Sequence, residues 1–141
     1  MTATAANVTQ IGRALLDGFN GRDLGAWEAA LAPDATFSYP GLRGGCDRAT
    51  AVAFNASFPA AFSDRHFAVT RTIAQGDTVA YCWVATGTHD GPLATPNGAI
   101  PPTGRRGEIP GVLIATVRDG RIVREETYWN LVELLGQLGL M

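Results

Sequence analysis

The chain changes its hydrophobic period once, at His66, and that switch bounds the folds open to it. Upstream, apolar residues recur three and four apart: Val8, Ile11, Leu15 and Phe19, then Leu24, Trp27 and Leu31. Downstream the period is two, over His66 to Ala74, Thr78 to Thr88, Gly107 to Val117 and Arg121 to Asn130. Gln75-Gly76-Asp77 and Arg118-Asp119-Gly120 join these runs in pairs as hairpin turns. Helices first and antiparallel strands afterwards is an α+β order, not the alternation of a parallel sheet. A strongly curved antiparallel or mixed sheet packed on N-terminal helices can enclose an apolar pocket between its layers.

Local signals punctuate these runs. Asn7 is placed to cap the first helix and Asn20-Gly21 to stop it; Asp23 is placed to cap the second, which ends before Pro33. Thr36 to Tyr39 alternates as a strand and stops at Pro40-Gly41. The stretch GLRGGC at 41–46 reads as a loop leading to Asp47, the cap of a third helix that carries Val52, Phe54 and Phe58 and is disturbed at Pro59. The segment 90–105, rich in Gly and Pro, is too long for a tight turn. Leu131, Leu134, Leu135 and Leu138 make a short closing helix.

A length of 141 residues suits one domain spanning 1–141. With 11 basic and 13 acidic residues the net charge is −2, which gives no basic surface for nucleic acid. MTATAANVTQIGRALL lacks the apolar block of a secretory leader, and no apolar run is long enough to span a membrane. Cys46 and Cys82 stand in unlike contexts, against a disulfide framework or a redox pair, so the expected compartment is the cytoplasm. Two His and two Cys, widely separated, argue against a metal site.

Residues able to carry chemistry are few. Glu125, Thr127 and Trp129 share one side of the last strand, while Arg124, Glu126 and Tyr128 share the other. If the first side walls a cavity, Glu125 is a desolvated carboxyl suited to acid–base work; otherwise it pairs with an Arg at the surface. His89, in GTHDG, is either a proton shuttle at the pocket mouth or a hydrogen-bonded anchor of the long loop. Tyr39 shares parity with Phe37 and offers a hydroxyl to a developing enolate, or sits at the core's rim. Asp34 follows Pro33 in a turn, where capping is its ordinary work. The aromatics Trp27, Phe54, Phe58, Phe62, Trp83 and Trp129 come from separate elements and suit either a packed core or a flat apolar ligand. Arg105-Arg106, after PPTG, would meet an acidic group at the entrance or be solvated.

The ordered set GDTVA, GTHDG, PPTGR, DGRIV and YWN resembles the SnoaL-like polyketide cyclases of the NTF2-like superfamily, and the likeness runs through most of the chain after residue 30. The resemblance implies a cone-shaped α+β fold with an apolar pocket, a homodimer formed through the outer sheet, and ring closure without metal or organic cofactor. It also implies a carboxylate base on the last strand and an imidazole on the strand before. Those places fall on Thr127 and Leu113, neither of which can act so at neutral pH. In some NTF2-like relatives a carboxylate at the place of Asp34 is the base or the epoxide-opening group. The expectation is a cyclase or isomerase for a polyketide-like intermediate, working by aldol, conjugate-addition or pericyclic chemistry. The pocket is then formed by the aromatics together with Leu113 and Thr127. A hydratase or epoxide hydrolase using Asp34 with Glu125, and a non-catalytic binding protein, are the alternatives.

Overall fold

The computed structural model describes residues 5–21, 23–40, 42–95 and 98–141. The N-terminal helical run is broken at Arg13 into α1 (Ala5–Gly12) and α2 (Ala14–Gly21), followed by α3 (Gly25–Ala30). Asn7 lies inside α1 and so does not cap it. Gly12 lets this helix approach the sheet: a Cβ there would meet Val79 Cγ1 at 2.7 Å and the Tyr81 hydroxyl at 2.9 Å. Asn20 ends α2 as expected and also ties it to the sheet, accepting from Phe67 N–H at 2.7 Å and donating to Phe67 O at 2.8 Å. The Asp23 carboxylate accepts the Gly25 N–H at 2.8 Å.

Two strands follow, β1 (Leu31–Tyr39) and β2 (Leu42–Cys46), then α4 (Arg48–Ala61), β3 (His66–Gln75) and β4 (Thr78–Thr88). The strand expected from Thr36 begins five residues earlier, at Leu31. Its pairing with the last strand shifts register between Leu31 and Thr36, which accommodates Pro33, a residue with no N–H to give a ladder. Residues 42–46, expected as loop, form β2 antiparallel to β1; the glycines hid the strand because they carry no alternation. Asp47 caps α4 as expected, accepting Thr50 N–H at 2.9 Å, and the helix continues through Pro59 to Ala61.

The segment after β4 holds a small hairpin, β5 (Leu93–Thr95) with β6 (Gly98–Ile100). The chain closes with β7 (Arg106–Arg118), β8 (Arg121–Trp129) and α5 (Leu131–Gln137). Asp119 and Gly120 both take positive φ, 52° and 74°, the pattern of the hairpin turn that Asp-Gly announces. The Asn130 side chain caps α5, accepting Glu133 N–H at 3.0 Å.

The main sheet runs β2-β1-β8-β7-β4-β3; the β1–β8 pair is parallel and its other pairs are antiparallel. It is therefore a mixed sheet within an α+β fold, as expected. Its inner face buries Phe37, Tyr39, Val79, Tyr81, Leu113, Ala115 and Val117 beneath the helices, with Trp27, Leu31 and Leu16 among the residues that complete the core. Among the described residues no helix is long and apolar enough to cross a membrane.

Candidate functional site

A hollow of about 100 Å³ lies between the inner face of the sheet and helices α2, α4 and α5. Along β4 and β7 the paired rows Gly87–Gly107, Ala85–Ile109, Trp83–Gly111 and Tyr81–Leu113 step from one end to the other. Leu113 pairs next with Thr127, and Gly111 with Trp129, so β8 continues the wall. Gly111 is required by close approach: a Cβ there would lie 2.3 Å from the Trp83 ring. The helices add Leu15, Leu16 and Phe19 from α2, Phe54, Asn55 and Phe58 from α4, and Leu134 from α5.

Past the register shift that separates Ile122 from Arg124, strand parity is obeyed on β8. Glu125, Thr127 and Trp129 face inward, while Arg124 and Tyr128 are exposed. Arg124 Nη2 donates to Glu126 at 2.9 Å on the outer face, so the surface arginine of this strand serves Glu126 and not Glu125. Phe54, Phe58, Phe62, Trp83, Leu113, Thr127 and Trp129, all expected around a ligand, line the hollow, as does Tyr39.

Glu125 is 0 % exposed and lies just behind the lining, paired across the sheet with Phe37 and Ala115. Trp27 does not line the hollow either. It is buried behind it and donates its indole N–H to Glu125 Oε1 at 2.8 Å. Oε2 has no hydrogen-bond partner among the described residues. Burial raises the Glu125 pKa from 4.5 to about 8, against a smaller lowering by the Trp27 N–H, so the carboxyl is mostly protonated at neutral pH.

Tyr39 and Asn55 form the polar point of the lining. Asn55, 3 % exposed, donates from Nδ2 to the Tyr39 hydroxyl at 2.8 Å and to Ala51 O at 3.0 Å. The hydroxyl hydrogen of Tyr39 finds no acceptor among the described residues. Its pKa is raised, first by burial and then by the neighbouring Glu125, so it remains a phenol and a donor. Thr127 Oγ1 is likewise buried with no partner among the described residues.

Four further residues singled out from the sequence stand elsewhere. His89 is fully buried beside Phe62 but outside the lining. Its Nδ1 accepts the Thr103 N–H at 3.2 Å, its backbone exchanges bonds with Arg105 and Gly104, and it thereby pins the loop before β7. Asp34 is exposed on the outward side of β1, while Glu125 faces inward from β8, so the two do not form a pair across the hollow. Arg105 and Arg106 are exposed, and Arg105 packs its guanidinium against Gly139. Among the described residues no cluster of His, Cys, Asp and Glu is placed to hold a metal ion.

Besides Thr86, two polar lining residues escaped the sequence reading. Asn55 sits on the inward stripe Ala51, Asn55, Phe58 and Phe62, where its polarity among apolar positions was the available signal. Arg65, 9 % exposed, lines the hollow from the turn between α4 and β3, where no periodicity applies.

The SnoaL-like domain model matches residues 12–125. The chain belongs to the SnoaL-like family. No curated protein sequence matches this SnoaL-like chain. Among solved structures it is similar to IdmH of Streptomyces antibioticus, assigned as a polyketide cyclase, with 33% identity, 94% of this chain and 98% of that one covered, and a TM-score of 0.76. It is also similar to AclR of Streptomyces galilaeus, assigned as a hydroxylase, with 24% identity, 98% and 84% covered, and a TM-score of 0.83. A Catenulispora acidiphila protein with a ketosteroid isomerase-like fold shares 20% identity over 94% of each chain, with a TM-score of 0.72. The last two show the fold alone, which is the NTF2-like one expected.

Proposed function

We propose that this SnoaL-like chain closes a ring in a polyketide-like intermediate by an isomerisation that needs no side-chain base. The observation that carries this reading is the Tyr39 hydroxyl, which takes a hydrogen bond from Asn55 at 2.8 Å and keeps its own hydrogen for the hollow. The likeness to IdmH supports the substrate class.

The chemistry follows from what the lining holds. By the family resemblance the acid–base pair falls on Thr127 and Leu113, both of which line the hollow; threonine cannot serve as a base at neutral pH and leucine offers no donor. Glu125, mostly protonated behind the wall, is not a ready base. What remains is shape and one donor. The aromatic walls fold a flexible chain so that its reacting ends meet, an effect that can lower a barrier by roughly 7–11 kcal/mol when the fit is close. Tyr39 donates to a carbonyl of the substrate, draws electron density from the conjugated system, and is polarised for this by the Asn55 N–H. A carbon–carbon bond forms at the expense of π bonds and every atom is retained: a pericyclic closure moves no proton, and in a conjugate addition the proton of the substrate's own enol passes to the acceptor's enolate.

The test is turnover of a synthetic linear poly-β-ketone or polyene thioester, followed by chromatographic separation of isomers of equal mass. Wild type accelerates closure. Tyr39→Phe slows it by about 10²-fold, and Asn55→Leu slows it less. Closure by Tyr39→Phe at the wild-type rate overturns the reading.

A further inference from the structure

The sheet leaves a gap at one end of the hollow. Gly87 of β4 and Gly107 of β7 pair directly, so this row of the wall has no side chains of its own. Two residues from outside the sheet cover it. A Cβ on Gly87 would meet Phe62 Cβ at 3.2 Å, and one on Gly107 would meet Leu134 Cδ1 at 3.0 Å. Phe62 follows the end of α4 and Leu134 belongs to α5, and both line the hollow.

The two covers are held differently. The segment around Phe62 is stitched to the end of β4 and the residues after it. The Ala61 carbonyl accepts the N–H of Asp90 at 3.1 Å and of Gly91 at 3.2 Å. Asp64 accepts from Thr88 N–H at 2.7 Å and Thr88 Oγ1 at 2.8 Å, and Asp90 accepts from the Ser63 N–H and hydroxyl. Among the described residues, α5 is hydrogen-bonded to the sheet through one side chain. The Gln137 amide accepts the Glu108 N–H at 2.6 Å and donates to Glu108 O at 2.9 Å. Leu134 and Leu138 are buried beneath the helix, the Arg105 guanidinium packs against Gly139, and Val132, Glu133 and Gly136 are exposed. The helix secures its own ends: Asn130 caps its start, and Gly139, at a φ of 76°, lets the Leu140 N–H reach Leu135 O at 2.8 Å. Leaving the sheet therefore breaks two exposed hydrogen bonds and a small apolar contact without unwinding the helix.

We propose that α5 is the gate of the hollow and Gln137 its latch, so that a ligand enters and leaves past the Gly87–Gly107 row when the Gln137 amide releases Glu108. The inference rests on the hollow being the ligand site. Opening removes Leu134 from the row that has no side chains and leaves Phe62 in place, which puts the mouth beside Gly107. Closure restores the apolar wall and keeps water from the reacting chain. Gln137 touches neither the lining nor a ligand within it; it acts through the position of Leu134.

The experiment is stopped-flow mixing of the purified chain with 2-acetylnaphthalene, a neutral aromatic ketone, read by the fluorescence of the lining tryptophans. Gln137→Met keeps the length of the side chain and removes the amide. Association and dissociation should both speed up by about tenfold, the effect of two neutral hydrogen bonds on opening. Kd should stay within about twofold, since the free and bound closed states lose the same bonds. Unchanged rates in Gln137→Met, or a change in dissociation alone, overturn the gate and leave the cavity reading standing. Failure of wild type to bind the probe overturns both. Should Gln137→Met not fold, hydrogen exchange of wild type decides. The Glu108 N–H, held by Gln137, should exchange well before the Ala115 N–H in the core of the same strand. Exchange of the two at one common rate overturns the gate.

Discussion

Trp27 and Glu125, 98 positions apart in the chain, are joined by a buried hydrogen bond from the indole Nε1 to the carboxyl Oε1 at 2.8 Å. The bond ties α3 to β8 beneath the cavity wall and satisfies one of the two carboxyl oxygens. A carboxyl so enclosed stays protonated because burial penalises its charged form by more than the Trp27 N–H favours it. The consequences reach stability, pH response and the shape of the cavity.

The pH response has a definite sign. Folding raises the Glu125 pKa from 4.5 to about 8, so the native state holds this proton more tightly than the unfolded chain. The stabilisation is complete below 4.5 and is lost as pH rises toward about 8. Asp47, Asp64, Asp77 and Asp90 have lowered pKa values and act only in more acid solution, where their contribution falls. Thermal melts across this window should fall with rising pH in wild type and stay level in Glu125→Gln.

Replacing Trp27 by Phe keeps an aromatic ring and removes the donor. Both Glu125 oxygens are then buried without a partner among the described residues, at a cost of about 1–3 kcal/mol. Urea unfolding measures it, and the loss should grow with pH because the same N–H favours the ionised form.

Gly111→Ala drives a methyl into the Trp83 ring, which sits 2.3 Å from the position of the new Cβ. The indole must shift into the space it lines. Destabilisation of about 1–3 kcal/mol is expected from overpacking, with weaker binding of an aromatic probe; unfolding and titration read the two effects.

Thr127→Val exchanges a buried hydroxyl without a partner for a methyl of the same shape. Stability should hold or rise by up to about 1 kcal/mol, since no hydrogen bond is lost. If the hydroxyl meets a ligand, the same variant weakens ligand binding while its melt does not fall.

Much of this was legible in the residues because period and turn chemistry are local. Asp119-Gly120 announced the β7–β8 hairpin, and the alternation of β8 sends Glu125, Thr127 and Trp129 to one side, beyond a register shift between Thr116 and Val117. Asp47 announced its helix through a short polar side chain, whereas the Asn130 cap went unread. What stayed hidden depends on long-range pairing. Residues 42–46 form a strand only because β1 lies beside them. Trp27 shares a partner-bearing stripe with ordinary core residues, and nothing near it in sequence announces Glu125. Arg65 follows the turn after α4, and only the curl of the sheet brings it to the cavity.

The most direct measurement is a crystal structure with a cyclised aromatic ketone bound. The account predicts a ketone oxygen about 2.7–2.8 Å from the Tyr39 hydroxyl and the ring between Leu113, Thr127 and Trp129. A ligand seated outside this hollow, or inside it with only apolar atoms facing Tyr39, would contradict the account.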